Sequence, residues 1–245
     1  MIKPIIALSF SIIGASALMG ADYYTYGHAD IGVAYEDEGS GPEFFLHYHL
    51  GANSNLGEGE YDPSEIITVV PASQKTAALD DASYNSMTGT TAGSAIWMLP
   101  ESNVAGVPFL GFGTEELDGV DFPSGIQFTL DSVTSPSGNG DLSVWQTGSF
   151  GAFDFYYSTA NELGTVNGDN VLTVPAGEHA HYNWGFTESG IWQVVLTASG
   201  EHATDGFLSS TKTYTFNVVP EPAVSAIALG ILSLAFCLFR LRRRK

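Results

Sequence analysis

Cysteine is almost absent from this 245-residue chain, and the single one, Cys237, lies in an apolar run near the C-terminus. No disulfide can form within the chain, and upstream no thiolate is available as a nucleophile or soft metal ligand. The fold therefore has to rest on its own hydrophobic core. Basic residues are nearly as scarce. Of eight, Lys3 stands near the start and five fall in the last six residues, leaving Lys75 and Lys212 against 26 acidic residues in the stretch 22–219. That balance argues against nucleic acid as a partner, which requires clustered Lys and Arg. It suits solubility and mutual repulsion in an exported protein, and it attracts cations. Signatures of catalysis are missing too: there is no Gly-x-Ser-x-Gly elbow, no His-Glu-x-x-His, no phosphate loop and no dinucleotide fingerprint. Among 26 acidic residues some pair always lies at a glycosidase separation, so paired carboxylates carry no specificity. A non-catalytic protein is expected, with a metal-dependent extracellular hydrolase as the alternative.

Long helical periods are also lacking, and what stands in their place is strand. Turn clusters at Asp37-Glu38-Gly39-Ser40-Gly41-Pro42, Ser135-Pro136-Ser137-Gly138-Asn139-Gly140-Asp141 and Asn167-Gly168-Asp169-Asn170 separate short runs of aromatic and β-branched residues. The runs 44–50, 65–70, 96–99, 126–133, 142–146, 153–157, 191–198 and 213–219 read as strands. Tyr214, Phe216 and Val218 alternate with Thr213, Thr215 and Asn217, as in a half-buried strand. This pattern predicts an all-β, immunoglobulin-like antiparallel sandwich, with a barrel or jelly roll as the other architecture. The stretch 71–94 reads as a long loop with one helical turn near 77–81. Trp97, Trp145, Trp184 and Trp192 read as packing residues. The Asn, Asp and Gly clusters read as turns rather than calcium loops.

Six histidines carry whatever chemistry is present, and four of them form two His-x-His pairs, His47/His49 and His179/His181. On a strand, residues i and i+2 point to one face about 6.6 Å apart, so two imidazoles can converge on one ion. Phe44, Leu46, Tyr48 and Leu50 then face the core, which puts His47 and His49 on the opposite, outer face. His28 and Asp30 form a third such set, with a carboxylate able to ligate or to orient a histidine. Together His28, Asp30, His47, His49, His179 and His181 are candidate ligands for Zn or Cu, with Ni also suited to imidazole. The alternative is that they cover a wet strand face. Convergence in space decides between the two.

Both ends of the chain read as addresses. Lys3, the apolar stretch 5–18 and the small residues Ala15, Ala17, Gly20 and Ala21 have the layout of a secretory signal peptide over 1–21. At the other end Pro220-Glu221-Pro222 precedes an uncharged run of 17 residues, 223–239, and the basic tail 240–245. As a helix that run rises about 25 Å, just enough for a transmembrane span. The basic tail would stay on the cytoplasmic side, with residues 22–219 outside. The sorting motif Pro220, Glu221 and Pro222, the span and the Arg-rich end over 220–245 resemble the PEP-CTERM signal of Gram-negative bacteria. The resemblance implies an exosortase as processing partner. It also implies passage through the inner membrane to the cell surface or extracellular matrix.

The body, 22–219, carries four further motifs in order. These are Gly27-His28-Ala29-Asp30, Ile96-Trp97-Met98-Leu99-Pro100, Gly113-Thr114-Glu115-Glu116-Leu117, and the segment 175–187 containing Glu178-His179-Ala180-His181-Tyr182-Asn183-Trp184. Together they resemble the choice-of-anchor M domain of surface-anchored proteins, whose members carry different C-terminal anchors on a similar body. That resemblance implies surface display and lends weight to metal binding, since some relatives accompany transporters thought to handle metals. By position it implies His28, Asp30, His179 and His181. Glu101 departs from the pattern, standing where an amide side chain is expected.

Overall fold

The computed structural model describes residues 20–37 and 41–222. Most of the signal peptide, the transmembrane run 223–239 and the basic tail 240–245 lie outside the described residues. Among those described, no helix is long and apolar enough to cross a membrane.

In chain order the strands are β1 (Asp22–Tyr24), β2 (Gly27–Asp37), β3 (Pro42–Leu50), β4 (Gly59–Tyr61), β5 (Ile66–Val70), β6 (Lys75–Ala77), β7 (Ala95–Leu99) and β8 (Pro108–Gly113). They continue as β9 (Ile126–Thr134), β10 (Leu142–Thr147), β11 (Phe153–Ser158), β12 (Val171–Val174), β13 (His179–His181), β14 (Asn183–Phe186), β15 (Gly190–His202) and β16 (Gly206–Val218). A single α-helix, α1 (Ala82–Thr88), is described. Asp81 caps its start by accepting from the Tyr84 N–H, and Gly89, at φ 67°, ends it in the left-handed region.

The strands form three sheets, ordered β1-β5-β16-β15-β9-β12, β11-β10-β14-β7-β6 and β13-β8-β2-β3-β4. The inner face of the first packs against both others. Tyr48 of β3 meets Tyr214 of β16 edge-on, and Trp184 of β14 lies against Phe216 of β16. Phe112 of β8 sits where all three sheets meet, touching Phe128, Trp184, Tyr157 and Tyr182 with ring centroids 5.0–5.9 Å apart. Trp97, Trp145, Trp184 and Trp192 are all buried, so packing is their role.

The eight strands expected from the sequence are present, most of them longer at one end. Three features differ. First, β1, β2, β4, β6, β8, β12, β13 and β14 had no alternation long enough to be read, because glycine interrupts them or they are very short. Second, the sheets are not purely antiparallel, since β1 with β5, β5 with β16, and β2 with β8 pair in parallel. Parallel pairing needs a long crossover, and the chain between β2 and β8 supplies one. Third, the helical turn expected near 77–81 is displaced to α1, where Asp81 caps rather than belongs to it. The Asn and Asp clusters serve turns, as expected. Asn170, at φ 54°, accepts from the Ser158 N–H through its side chain.

Candidate metal centre

Strand register arranges the candidate residues in rows across the outer face of β13-β8-β2-β3-β4. His181, Gly111, Asp30, His49 and Glu60 are successive partners in one row. His179, Gly113, Gly32 and His47 form the next. Between the histidine strands the rows run largely through glycine, which leaves room above the sheet. A Cβ on Gly32 would stand 2.6 Å from His47 Nε2, and one on Gly111 would collide with Asp30 Oδ1. His47 and Asp30 lean into that space.

The first group gathers at one end of the rows. His28, His179 and His181 place ligand nitrogens within 4.8 Å of one another. Their ring centroids lie 4.9, 5.5 and 5.6 Å apart, with ring planes inclined at 61–83°. Three imidazoles bound tetrahedrally at about 2.1 Å would have centroids about 5.2 Å apart, so the spacing already matches one shared ion. Asp30 is completely buried beneath them, with Oδ2 3.1 Å from His28 Nε2 and Oδ1 3.9 Å from His181 Nε2. The first is an ion-pair contact without hydrogen-bond alignment and the second is too long for a hydrogen bond, so neither oxygen has a hydrogen-bond partner. Glu115 Oε1 lies 2.5 Å from His179 Nδ1.

Backbone contacts hold this group in place. The His28 N–H donates to Asn53 Oδ1 (3.0 Å), and the His28 carbonyl accepts from the Gly51 N–H (3.0 Å). Gln146 Nε2 donates to the His181 carbonyl (3.0 Å), while Phe109 stacks on the His181 ring at 3.5 Å and 8°. Burial pushes His181 down to about 4, so its imidazole is neutral and its lone pair available at ordinary pH. The Asp30 carboxylate raises His28 above its usual value. A cleft of ≈ 550 Å³ opens beside His179 and His181, with Glu101 and Asp154 on its wall. Glu101, the residue that departs from the expected amide, accepts from the Thr147 N–H (2.9 Å) through its carboxylate.

The second group lies across the sheet. His47 Nε2–H and His49 Nδ1–H donate to the same oxygen, Glu116 Oε1, at 3.1 and 2.9 Å, and Glu60 completes a set within 4.8 Å. His47 is buried, its Nδ1 without a partner, and its carbonyl accepts from Tyr214 Oη (3.3 Å). Burial opposes ionisation of Glu116, but the bonds from His47 and His49 outweigh it and hold the carboxyl below its usual value.

The six sequence candidates therefore divide. His28, Asp30, His179 and His181 come together, whereas His47 and His49 do not join them. The reason is spacing. The β13 and β3 histidines are three strand intervals apart, about 14 Å at Cα, too far for side chains standing off the sheet to share one ion. The outer face is also drier than alternation implied, since Asp30 and His47 are as buried as core residues.

Glu115, Glu116 and Glu60 were missed as site residues, and so were the glycines beneath them. The signal was present in Gly111-Phe112-Gly113-Thr114-Glu115-Glu116, where alternate glycines mark close approach and the two acids follow at once. Thr114 ties this segment to the histidines, its Oγ1 donating to the Pro175 and Glu178 carbonyls at 2.5 and 3.0 Å. Comparison with protein-family models, curated proteins and solved structures returns no match.

Proposed function

We propose that the chain is an exported, surface-displayed β-sandwich of immunoglobulin-like character that binds one transition-metal ion, Zn or Cu, through His28, His179 and His181. It has no catalytic role in this reading. The observation that carries the metal reading is where unsatisfied polar atoms fall. Six buried side-chain polar atoms among the described residues lack a hydrogen-bond partner, and five belong to Asp30, His181 and His47. Buried polar groups are nearly always hydrogen-bonded, and a fully buried carboxylate left with only its ion-pair contact to His28 is a costly exception. A cation above Asp30 supplies the missing partner for the carboxylate and for a nitrogen of His181. Three imidazoles favour Zn, Cu or Ni over the harder cations.

Export, sorting and membrane passage rest on the two ends of the chain and on the PEP-CTERM and choice-of-anchor M resemblances. The position of the sorting motif agrees with them. Pro220, Glu221 and Pro222 are exposed directly after β16, as an exosortase in the membrane would require. Lys75 Nζ holds Glu221 at 2.7 Å, and Trp97 Nε1–H donates to the Val219 carbonyl (3.0 Å), so the motif leaves the body at a defined point. Anchoring by 223–239 precedes processing and release to the surface or matrix of a Gram-negative cell.

One observation favours the hydrolase as second reading. The ≈ 550 Å³ cleft beside His179 and His181 has room for a substrate, and a three-histidine ion keeps a fourth position for water. Metal analysis of the full-length chain in detergent tests the first reading. Stoichiometric Zn or Cu, lost in His179→Ala, is expected; no bound metal and no thermal shift on adding either ion would refute it. Ligation of that ion by Asp30 as a fourth protein group would close the sphere and remove the hydrolase. An envelope protein with neither metal nor catalysis is what remains if both fail.

A further inference from the structure

We infer that the same sheet face carries a second, separate cation site built from His47, His49, Glu116 and Glu60, which takes a divalent first-row cation harder than that suited to the three histidines. The site is built rather than incidental. Two nitrogens from one strand already converge on a single point, the Glu116 oxygen that both reach at 2.9–3.1 Å. Their ring centroids are 6.2 Å apart, so a small closing rotation brings both to one ion. A cation there takes His47 Nε2 and His49 Nδ1 as ligands, each neutral ring then carrying its one proton on the other nitrogen, and keeps Glu116 as a ligand, while Glu60 on the neighbouring strand adds the fourth donor.

The site is also separate. No set of mutually close donors among the described residues mixes members of the two groups. Gly113 and Gly32 separate His179 from His47 in their row, with Asp30 leaning over the first and His47 over the second. His47 and Glu60 line a cavity of ≈ 390 Å³ that shares no residue with the cleft beside His179 and His181. Glu115 and Glu116 are adjacent in sequence but turn to opposite groups, Glu115 to His179 and Glu116 to His47 and His49. The segment that follows β8 thus clasps both.

Chemistry sets the difference in preference. Two imidazoles and two carboxylates form a nitrogen–oxygen set whose two negative charges balance a divalent cation. Carboxylate donors extend the range from Zn²⁺ to Mn²⁺, which a three-imidazole set holds less well.

The test uses the full-length chain in detergent, stripped with chelator and titrated with Zn²⁺ alone and Mn²⁺ alone. His49 and Glu116 are partly exposed, so His49→Ala and Glu116→Gln keep the buried ring of His47 in place. A thermal melt confirms that each variant is folded. The expected result is two Zn²⁺ per chain, falling to one in His49→Ala and to a different one in His179→Ala. Mn²⁺ binding, read by electron paramagnetic resonance, should survive His179→Ala and disappear in Glu116→Gln. One Zn²⁺ per chain that is lost only in His179→Ala overturns this site and leaves the three-histidine site standing. One that is lost only in His49→Ala supports this site and refutes the other. No bound metal in the wild type overturns both.

Discussion

The two faces of the sheet β13-β8-β2-β3-β4 are written by alternate residues of the same strands, yet they are finished differently. On the inner face Ala29, Ile31, Val33, Leu46, Tyr48, Leu50, Leu110 and Phe112 are all buried with no polar atom left over apart from the Tyr48 hydroxyl, which bonds Thr68 Oγ1 at 2.8 Å. On the outer face Asp30 and His47 are just as buried, but their polar atoms are incompletely paired. Dryness is common to both. What separates them is that the inner face completes its contacts within the chain, whereas the outer face leaves atoms of Asp30, His47 and His181 without a hydrogen-bond partner. In the proposed reading the core side is stabilised by burial and the histidine side by a bound cation.

The comparison breaks most visibly at Phe112. Phe112→Ala removes the ring on which three sheets meet and is expected to cost about 3–5 kcal/mol in urea unfolding, while the folded chain keeps its zinc stoichiometry. A loss below about 1 kcal/mol would mean that the inner face is not the source of stability. Gly32→Ala probes the outer face by filling it. Its Cβ would meet His47 Nε2 at 2.6 Å, so a loss of about 1–3 kcal/mol is expected together with weaker binding at the His47 group. Gly119→Ala, where nothing lies within 4 Å, should stay within about 0.5 kcal/mol in the same assay.

Asp30→Asn separates metal binding from stability. Removing the carboxylate takes away the ion-pair partner of His28 and should weaken zinc binding about 10–100-fold, while the relief of desolvation and the loss of that pair largely offset, leaving the metal-free chain within about 1 kcal/mol of wild type. A loss of more than about 3 kcal/mol without metal would show instead that the Asp30–His28 pair holds the fold together. The smallest effect lies at Lys212 and Asp62, which share the wall of the His47 cavity. Burial opposes ionisation of Asp62, but Lys212 at 2.6 Å and the Ser64 hydroxyl and N–H hold its carboxyl at about 2. A folded value below the unfolded one of about 3.9 stabilises the chain above that pH, and the contribution is lost as pH falls toward 2. Lys212→Ala should move that acid loss upward and change stability at pH 6 by less than about 1 kcal/mol, because the pair is exposed. Unfolding curves at pH 3 and pH 6 measure it.

Alternation made half of this legible in the sequence. In β3 it separated Leu46, Tyr48 and Leu50 from His47 and His49, and the structure keeps that division. His-x-His spacing likewise marked His179 and His181 as one face. Distance between strands was not legible, since nothing local in His47-Tyr48-His49 says that β3 lies three intervals from β13. The covering acids were overlooked for a related reason: Glu115 and Glu116 fall after a strand whose alternate glycines hid its pattern, and only pairing with β13 brings them over the histidines. Parallel pairing of β2 with β8 is equally a product of the crossover between them, not of either strand's residues.

X-ray absorption of the His49→Ala full-length chain, loaded with one equivalent of zinc, tests the three-histidine centre most directly. About three imidazole nitrogens near 2.0–2.1 Å with oxygen completing the sphere, and one fewer nitrogen in the additional variant His181→Ala, is the expected result. A shell of oxygen alone, or zinc that washes away, would contradict it.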